Sequence, residues 1–212
     1  VFMKRRRFAR VGLEAGTGIS LARGLCNLGY SVDIYEARAL SNFLRIRRNK
    51  TDAGDASGIA HAGRIGATVS KVHVKSLECQ SLASRLTIRR KLISARIRAM
   101  NLLCSQIELF GGRMGSCCCS PLQLRQKADR EIRNVFGRAP SALASELRAL
   151  ARRCEDLMIY QQEADRDLAR LAHEHDVCRR LMTIPGVGPI CALTFYASVG
   201  EPHRFRKASD IG

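Results

Sequence analysis

The chain has 212 residues and a formal net charge of +17, from 36 Lys and Arg against 19 Asp and Glu. No run is apolar over the length that a membrane helix needs, and the basic start VFMKRRRFARVG is not followed by the apolar region of a signal peptide. The charge predicts a polyanionic partner, with nucleic acid favoured over a membrane surface or a merely solvated basic face. The scattered cysteines predict reduced thiols and hence a cytoplasmic protein.

The first 60 residues or so alternate between strand-like and helix-like patterns. VGLEA is a short apolar strand that ends in an acid, and GISLARGLCNLGY has helical spacing of Leu21, Leu25 and Leu28 before a stop at Gly29. SVDIYEAR alternates like a strand, and ALSNFLRI is helical again. This order predicts an α/β layer with a parallel strand pair.

Two long helical patterns occupy residues 71–178. The first, LASRLTIRRKLISARIRAMNLLCSQIELF, places apolar residues near heptad spacing, and the second resumes at SALASELRALARRC after the breaker GGRMGSCCCSP. Two such helices predict an antiparallel hairpin or coiled coil that serves as a dimerising arm. The alternative is a pair of ordinary core helices.

The cysteines and histidines predict no disulfide framework. Three of the nine cysteines are consecutive at 117–119, the others are scattered, and no CxxC pair indicates zinc, so we expect reduced thiols. His173, His175 and Cys178 in HEHDVC could hold a metal, although a charged helical stretch is the simpler interpretation.

The segment IPGVGPICAL near the end of the chain predicts a tight turn between two helices. Such a turn exposes backbone N–H groups at the start of the second helix, which suits a phosphate. It is the pattern of a helix-hairpin-helix element, which grips a nucleic-acid backbone without reading sequence. A purely structural turn is the alternative. The residues assigned to this interface are Arg179, Arg180, Gly186, Val187, Gly188, His203, Arg204, Arg206 and Lys207.

Acidic residues near the start of the chain allow two interpretations. Asp52 and Asp55 are three residues apart and would share one face of a helix, where both could approach one divalent cation; Glu14 ends the first strand. The basic run just before, with Arg47, Arg48 and Lys50, would hold a nucleic-acid strand. Alternatively, Thr51 or Asp52 caps a helix and Asp55 interacts with its dipole. Spacing alone does not decide between them.

Four segments together resemble the transposases of insertion sequence family 110 (IS110), the DEDD-type, bridge-RNA-guided recombinases. They are VGLEAGTGISLARGL…GYSVDIYEARALSNFL, NKTDAGDASGIAHAGRIG, VHVKSLECQSLASRLTIRRKLI and CRRLMTIPGVGPICALTFYASVGEPHRFRKASDIG. They follow one another in the family's order over almost the whole chain.

This resemblance implies a RuvC-like, RNase H-like domain with acids in the order Asp, Glu, Asp, Asp. Glu14 matches the glutamate, and Asp52 and Asp55 match the last two aspartates, so that the three would bind Mg²⁺. The first aspartate is expected upstream of Val1 and the nucleophilic serine downstream of the matched region; Ser209 is not its match. We therefore expect a fragment, inactive alone in recombination but able to bind nucleic acid.

The resemblance also implies an organisation and a set of partners. A partial catalytic domain is expected at residues 1–70, a helical coiled-coil arm at 71–178, and the start of a C-terminal transposase domain at 179–212. The implied partners are DNA, a structured guide RNA and a second copy of the chain. The alternatives are a non-catalytic nucleic-acid-binding remnant and a junction-resolving nuclease.

Overall fold

A computed structural model describes residues 10–16, 18–44, 51–65, 70–115, 120–137 and 141–211. The chain divides into two compact units, Val1–Lys75 and Ser76–Gly212, and each is described by itself. The first contains strands β1 (Val11–Glu14) and β2 (Val32–Tyr35) and helices α1 (Gly18–Asn27), α2 (Ala37–Leu44) and α3 (Asp52–Ile65). The second contains α4 (Leu77–Leu109), α5 (Pro121–Phe136), α6 (Ala142–Glu174), α7 (Asp176–Leu181), α8 (Pro189–Val199) and two 3₁₀ turns, Pro202–Arg204 and Ala208–Ile211.

The two strands of the first unit confirm the expected parallel pair. They run in register from Val11 opposite Val32 to Glu14 opposite Tyr35, with α1 as the crossover between them. Gly29 has a φ of +84°, a conformation that favours glycine, and it follows the end of α1 as expected.

The apolar stripe expected on α1 is only partly correct. Leu25 is buried, whereas Leu21 and Leu28 are exposed. The buried face is formed by Ala22 and Leu25, which are three residues apart and therefore share one side of the helix. Leu21 and Leu28 lie seven apart on a neighbouring face that this small unit leaves uncovered. The core of the unit instead gathers Tyr35, Leu40 and Ala62, with Ala39 and Ile59 packed against them.

Two helices of 33 residues each, α4 and α6, form the frame of the second unit. The end of α4, at Leu103 and Ile107, shares a core cluster with the beginning of α6, at Leu147. The beginning of α4, at Leu82, shares a second cluster with the end of α6, at Leu168. The pair is therefore antiparallel, which confirms that part of the prediction; α7 and α8 complete the second cluster.

Helix α5 was not expected from the sequence, where GGRMGSCCCSP at 111–121 indicates an interruption and residues 122–140 were assigned no element. It begins after Ser120, whose side chain accepts a hydrogen bond from the Gln123 N–H, and Pro121 occupies its first turn, where a missing N–H costs nothing. Its face of Leu124, Ala128 and Ile132 is fully buried in the cluster shared by α4 and α6. The hairpin is thus a three-helix unit at this end.

A close approach explains one glycine of the interrupting segment. A Cβ at Gly112 would lie 2.5 Å from Ile107 Cγ2 and 2.8 Å from Val135 Cγ2, so the chain can pass from α4 toward α5 only without a side chain here.

No described helix is long and apolar enough to cross a membrane. Six described cysteines form no disulfide: Cys26, Cys79, Cys104, Cys154, Cys178 and Cys191. The consecutive cysteines at 117–119 lie outside the described residues.

Candidate functional site

The two aspartates expected to bind a metal lie in the first turn of α3. Thr51 caps this helix: its Oγ1 accepts a hydrogen bond from the Gly54 N–H at 3.1 Å, and its carbonyl accepts one from the Asp55 N–H at 2.8 Å. The capping interpretation is therefore correct for Thr51, and both carboxylates lie where the helix dipole favours negative charge. A cap by Thr51 leaves the carboxylate oxygens of Asp52 and Asp55 available for other partners.

The direction of α3 decides which end of the sheet these aspartates face. A Cβ at Gly12 would touch Ile59, whereas Gly63, one turn later on α3, lies against the Tyr35 hydroxyl. That hydroxyl also reaches Asp33, two residues earlier on its strand, at 3.4 Å. Helix α3 therefore runs opposite to the strands, and its first turn lies toward their carboxyl ends, where Glu14 stands.

The three carboxylates do not form a closed site. Glu14 and Asp52 are exposed and Asp55 is half-buried, and none of them forms an ion pair with another described residue. Among the residues that the structure describes, no group of three or more His, Cys, Asp or Glu side chains is arranged to hold a metal ion. The donors suit a hard divalent cation, but the described residues alone do not surround one.

A fourth acid of this unit, Asp33, was not singled out from the sequence. Its Oδ2 lies 3.0 Å from both Arg10 Nη1 and Lys71 Nζ, and it accepts a hydrogen bond from the Tyr35 hydroxyl. Burial raises the pKa of the Asp33 carboxyl, but the hydrogen bonds and charges of Lys71 and Arg10 outweigh it and lower the pKa below its ordinary value. Its partners come from three separate segments, so Asp33 ties the unit together.

The PGVGP segment forms the expected turn between two helices. Gly186 has a φ of +85°, and the Val187 N–H donates to the Ile184 carbonyl at 3.1 Å, which closes the turn. Gly188 precedes α8, Pro189 occupies its first position, and no side chain caps the helix. A Cβ at either glycine would meet nothing within 4 Å, so the outer side of the turn is open. The backbone N–H groups in the first turn of α8 therefore receive no hydrogen bond from a capping side chain.

The basic residues around this turn differ in how firmly they are held. Arg179 pairs with Asp176 within α7, whereas Arg180 is exposed and forms no ion pair with the described residues. Arg204 donates to the Val199 carbonyl at 3.2 Å and lies over the Phe205 ring at 4.0 Å, which fixes its side chain.

The remaining members of the predicted interface are divided between exposed and undescribed positions. Arg206 and Lys207 are exposed, and the Lys207 N–H donates to Asp210 at 3.1 Å. Two exposed cations thus stand close in sequence to the fixed Arg204. The other predicted nucleic-acid contacts, Arg47, Arg48 and Lys50, lie outside the described residues.

The alternative metal site in HEHDVC does not form. His173 is exposed and Cys178 is fully buried, so their side chains face different surroundings. His175 instead packs against Tyr196, with ring centroids 4.1 Å apart and the rings tilted by 49°, and its Nε2 lies 3.7 Å from Glu78 Oε1. This group joins the start of α4 to α8 and has a structural role.

Comparison with protein families gives two matches, in chain order. Residues 6–110 match a DEDD-type IS110 family model described as "Transposase", and residues 178–212 match one described as "Transposase IS116/IS110/IS902 family". The chain belongs to the IS110 family of insertion-sequence transposases. The first match contains the segment with Glu14, Asp52 and Asp55, and the second contains the PGVGP turn.

Curated relatives agree with this family. The chain is 28% identical over 177 residues to the transposase for insertion sequence element IS1111A of Coxiella burnetii, which covers 78% of this chain and 44% of that protein. It is 24% identical over 204 residues to the transposase for IS1328 of Yersinia enterocolitica, covering 95% of this chain and 58% of that protein. The chain thus spans about half the length of the curated relatives it matches.

Proposed function

We propose that this chain acts in DNA transposition, contributing part of the metal-binding catalytic domain and a DNA-binding element of an insertion-sequence transposase. The observation that carries the proposal is the pair of family matches, because they enclose in chain order both the acidic segment and the PGVGP turn. The DEDD type of the first match suggests a requirement for a divalent metal.

Glu14, Asp52 and Asp55 are proposed as the carboxylates that hold Mg²⁺ in a RuvC-like, RNase H-like domain. Support comes from the parallel β1–α1–β2 arrangement and from the course of α3, whose acidic first turn lies toward the edge where Glu14 ends β1. Their oxygens match the preference of Mg²⁺ for hard ligands. When bound, such an ion activates the attacking group and stabilises the leaving oxygen at a phosphodiester.

DNA is proposed to bind along α7, the PGVGP turn and α8 as a helix-hairpin-helix element. The start of α8, which no side chain caps, offers N–H groups to a phosphate, and Arg180, Arg206 and Lys207 supply exposed positive charge on the segments before and after it. This contact would not read sequence, because phosphates are the same at every position.

The domain organisation and the remaining partners are proposals that follow from the family. Residues 1–70 would belong to the catalytic domain, 71–178 to a helical arm, and 179–212 to the start of the C-terminal transposase domain. The arm is proposed to help bind a structured guide RNA and to join two copies of the chain. The antiparallel pair of α4 and α6 is compatible with such an arm.

DNA binding is tested by fluorescence anisotropy of a labelled 30-base-pair duplex at several salt concentrations. The variant Arg180→Gln/Arg206→Gln removes two exposed charges of the proposed interface, and the control Arg98→Gln/Arg166→Gln removes two exposed charges from α4 and α6. We expect the first to weaken binding by at least ~10-fold and to reduce the salt slope by about 2, because each phosphate contact releases about 0.9 counterions. Equal losses in both variants would contradict the assigned interface.

Metal binding is tested with Mn²⁺, which accepts the same oxygen ligands and broadens nearby nuclear magnetic resonance signals. We expect broadening at amides of 52–55 and 14–15 that Mg²⁺ reverses and that Asp52→Asn/Asp55→Asn abolishes. The control Asp156→Asn/Glu163→Gln removes two exposed acids of α6 and should leave the broadening unchanged. If Mn²⁺ broadens no signal in this segment, the carboxylates do not form a metal site in this chain.

A further inference from the structure

Five charged side chains from two helices line one open cleft in the second unit. They are Arg125, Asp129 and Arg133 of α5 and Arg148 and Arg152 of α6, around a volume of about 230 Å³. Because Arg125, Asp129 and Arg133 are four residues apart, they share one face of α5, as Arg148 and Arg152 do on α6. The two faces meet because α5 and α6 pack through the cluster described above.

Acids compensate only part of this positive charge. Arg148 Nε lies 3.9 Å from Asp129 Oδ1, at the limit of an ion pair, and Arg125 Nη1 lies 3.6 Å from Glu155 Oε2. Arg133 and Arg152 are exposed and form no ion pair with any described residue. The cleft therefore carries two guanidinium groups without a carboxylate partner, next to the two that are paired.

Stability of the fold does not explain this arrangement. Like charges on neighbouring helices repel one another, and an exposed arginine without a partner contributes little to stability. Guanidinium groups bind phosphate oxygens in a fixed two-point geometry, which makes several arginines around one cleft suited to phosphate. The positions 125 to 133 extend over about 12 Å at the rise of an α-helix, close to the length of three or four nucleotides of one strand.

We propose that this arginine cleft binds the phosphodiester backbone of a nucleic acid, at a site separate from the PGVGP turn. Arg133 and Arg152 contact the phosphates directly, and Arg125 and Arg148 complete the positive lining while remaining tied to Glu155 and Asp129. The proposal deepens the proposed function, since it adds a second nucleic-acid contact to the chain. The ligand chemistry proposed is the phosphate group of the backbone, because guanidinium groups match its oxygens in a two-point geometry.

The test uses the 212-residue chain with the double variant Arg133→Gln/Arg152→Gln. Neither arginine holds an ion pair among the described residues, so the variant should melt like the parent. Arg38→Gln/Arg64→Gln is the matched control: both arginines are exposed, they lie in the first unit outside the proposed arm, and the change in net charge is the same. Anisotropy is measured against salt with two probes, a labelled 30-base-pair DNA duplex and a labelled RNA hairpin with a 12-base-pair stem.

We expect the cleft variant to weaken binding of at least one probe by ~10-fold or more and to reduce its salt slope by about 2, while the control changes the slope by less than half as much. The probe that loses affinity identifies the cleft's ligand as DNA or RNA. If cleft and control variants behave alike with both probes, the inference is wrong.

The variant Arg180→Gln/Arg206→Gln, measured in parallel, separates this outcome from failure of the proposed function. If only Arg180→Gln/Arg206→Gln loses affinity, the PGVGP interface is supported and the cleft site is wrong. If only Arg133→Gln/Arg152→Gln loses affinity, the cleft site is supported and the PGVGP interface is contradicted. A charge-preserving variant, Arg133→Lys/Arg152→Lys, should restore most of the salt slope but less of the affinity, because lysine lacks the two-point geometry.

Discussion

A Cβ at Gly12 on β1 would lie 2.7 Å from Cγ2 of Ile59 on α3. The strand and the helix therefore touch at a point where no side chain fits, and Tyr35 closes the same contact from β2, 3.2 Å from that Cβ position. This contact holds α3 against the strands and so sets the position of its first turn, with Asp52 and Asp55.

Substituting Gly12 by alanine should destabilise the first unit. The added methyl group forces Ile59 and Tyr35 apart, and overpacking of this kind costs about 1–3 kcal/mol. Urea unfolding and amide exchange of β1 and α3 measure the effect. Gly24→Ala is the matched control: its Cβ would meet nothing within 4 Å on helix α1, and it should stabilise by about 0.5–1 kcal/mol. Equal changes in the free energy of unfolding for the two substitutions would contradict a tight contact at Gly12.

Asp33→Asn should remove a pH-dependent part of the stability. The pKa of Asp33 is lowered in the folded chain, so its charged form contributes stability above the ordinary value of 3.8, and this contribution is lost as the pH falls through the folded pKa. We expect a loss of about 1 kcal/mol at pH 7, since Arg10 and Lys71 are about half exposed. Urea unfolding from pH 7 to pH 3 should then show a shallower decline for the variant than for the parent.

Tyr196 should ionise only in strongly alkaline solution. Burial raises its pKa to about 12, and the neighbouring Glu78 and Cys79 add to the shift. Its neutral form therefore contributes stability below the unfolded pKa of about 10, which is lost as the pH rises through about 12. In a spectrophotometric titration, Tyr196→Phe should remove the step near this value, while Tyr160→Phe, at an exposed site of α6, should leave it in place. Identical curves for parent and Tyr196→Phe would contradict the assignment.

Ser141→Ala should weaken the beginning of α6. The Ser141 hydroxyl accepts a hydrogen bond from the Ala144 N–H at 3.0 Å, and loss of such a cap costs about 0.5–2 kcal/mol. Thermal unfolding and amide exchange at residues 142–146 measure the loss. Ser145→Ala, one turn later and exposed, removes a hydroxyl without a capping role and should change stability by less than about 0.5 kcal/mol.

Sequence pattern identified the parts of the candidate site that depend on neighbouring residues. The strand that ends at Glu14 and the turn at Gly186 follow from short stretches, since backbone conformation there is set by local sterics and local hydrogen bonds. The cap at the start of α3 was one of two interpretations that the sequence left open, and the structure assigns it to Thr51. Helix α5 was missed because a strongly interrupting segment precedes it. Its stability depends on packing against two other helices, through Leu124, Ala128 and Ile132, and such packing is not visible in a short stretch of sequence.

The sequence by itself determined the parallel strand pair, the two long helices, the glycine turn before α8 and, through the order of its motifs, the transposase family. Only the tertiary structure decided that α3 runs opposite to β1, that Asp33 joins three segments, and that arginines of α5 and α6 share a cleft. The physical reason is distance along the chain: helix and strand periodicities act over a few residues, whereas these arrangements depend on which buried faces pack together.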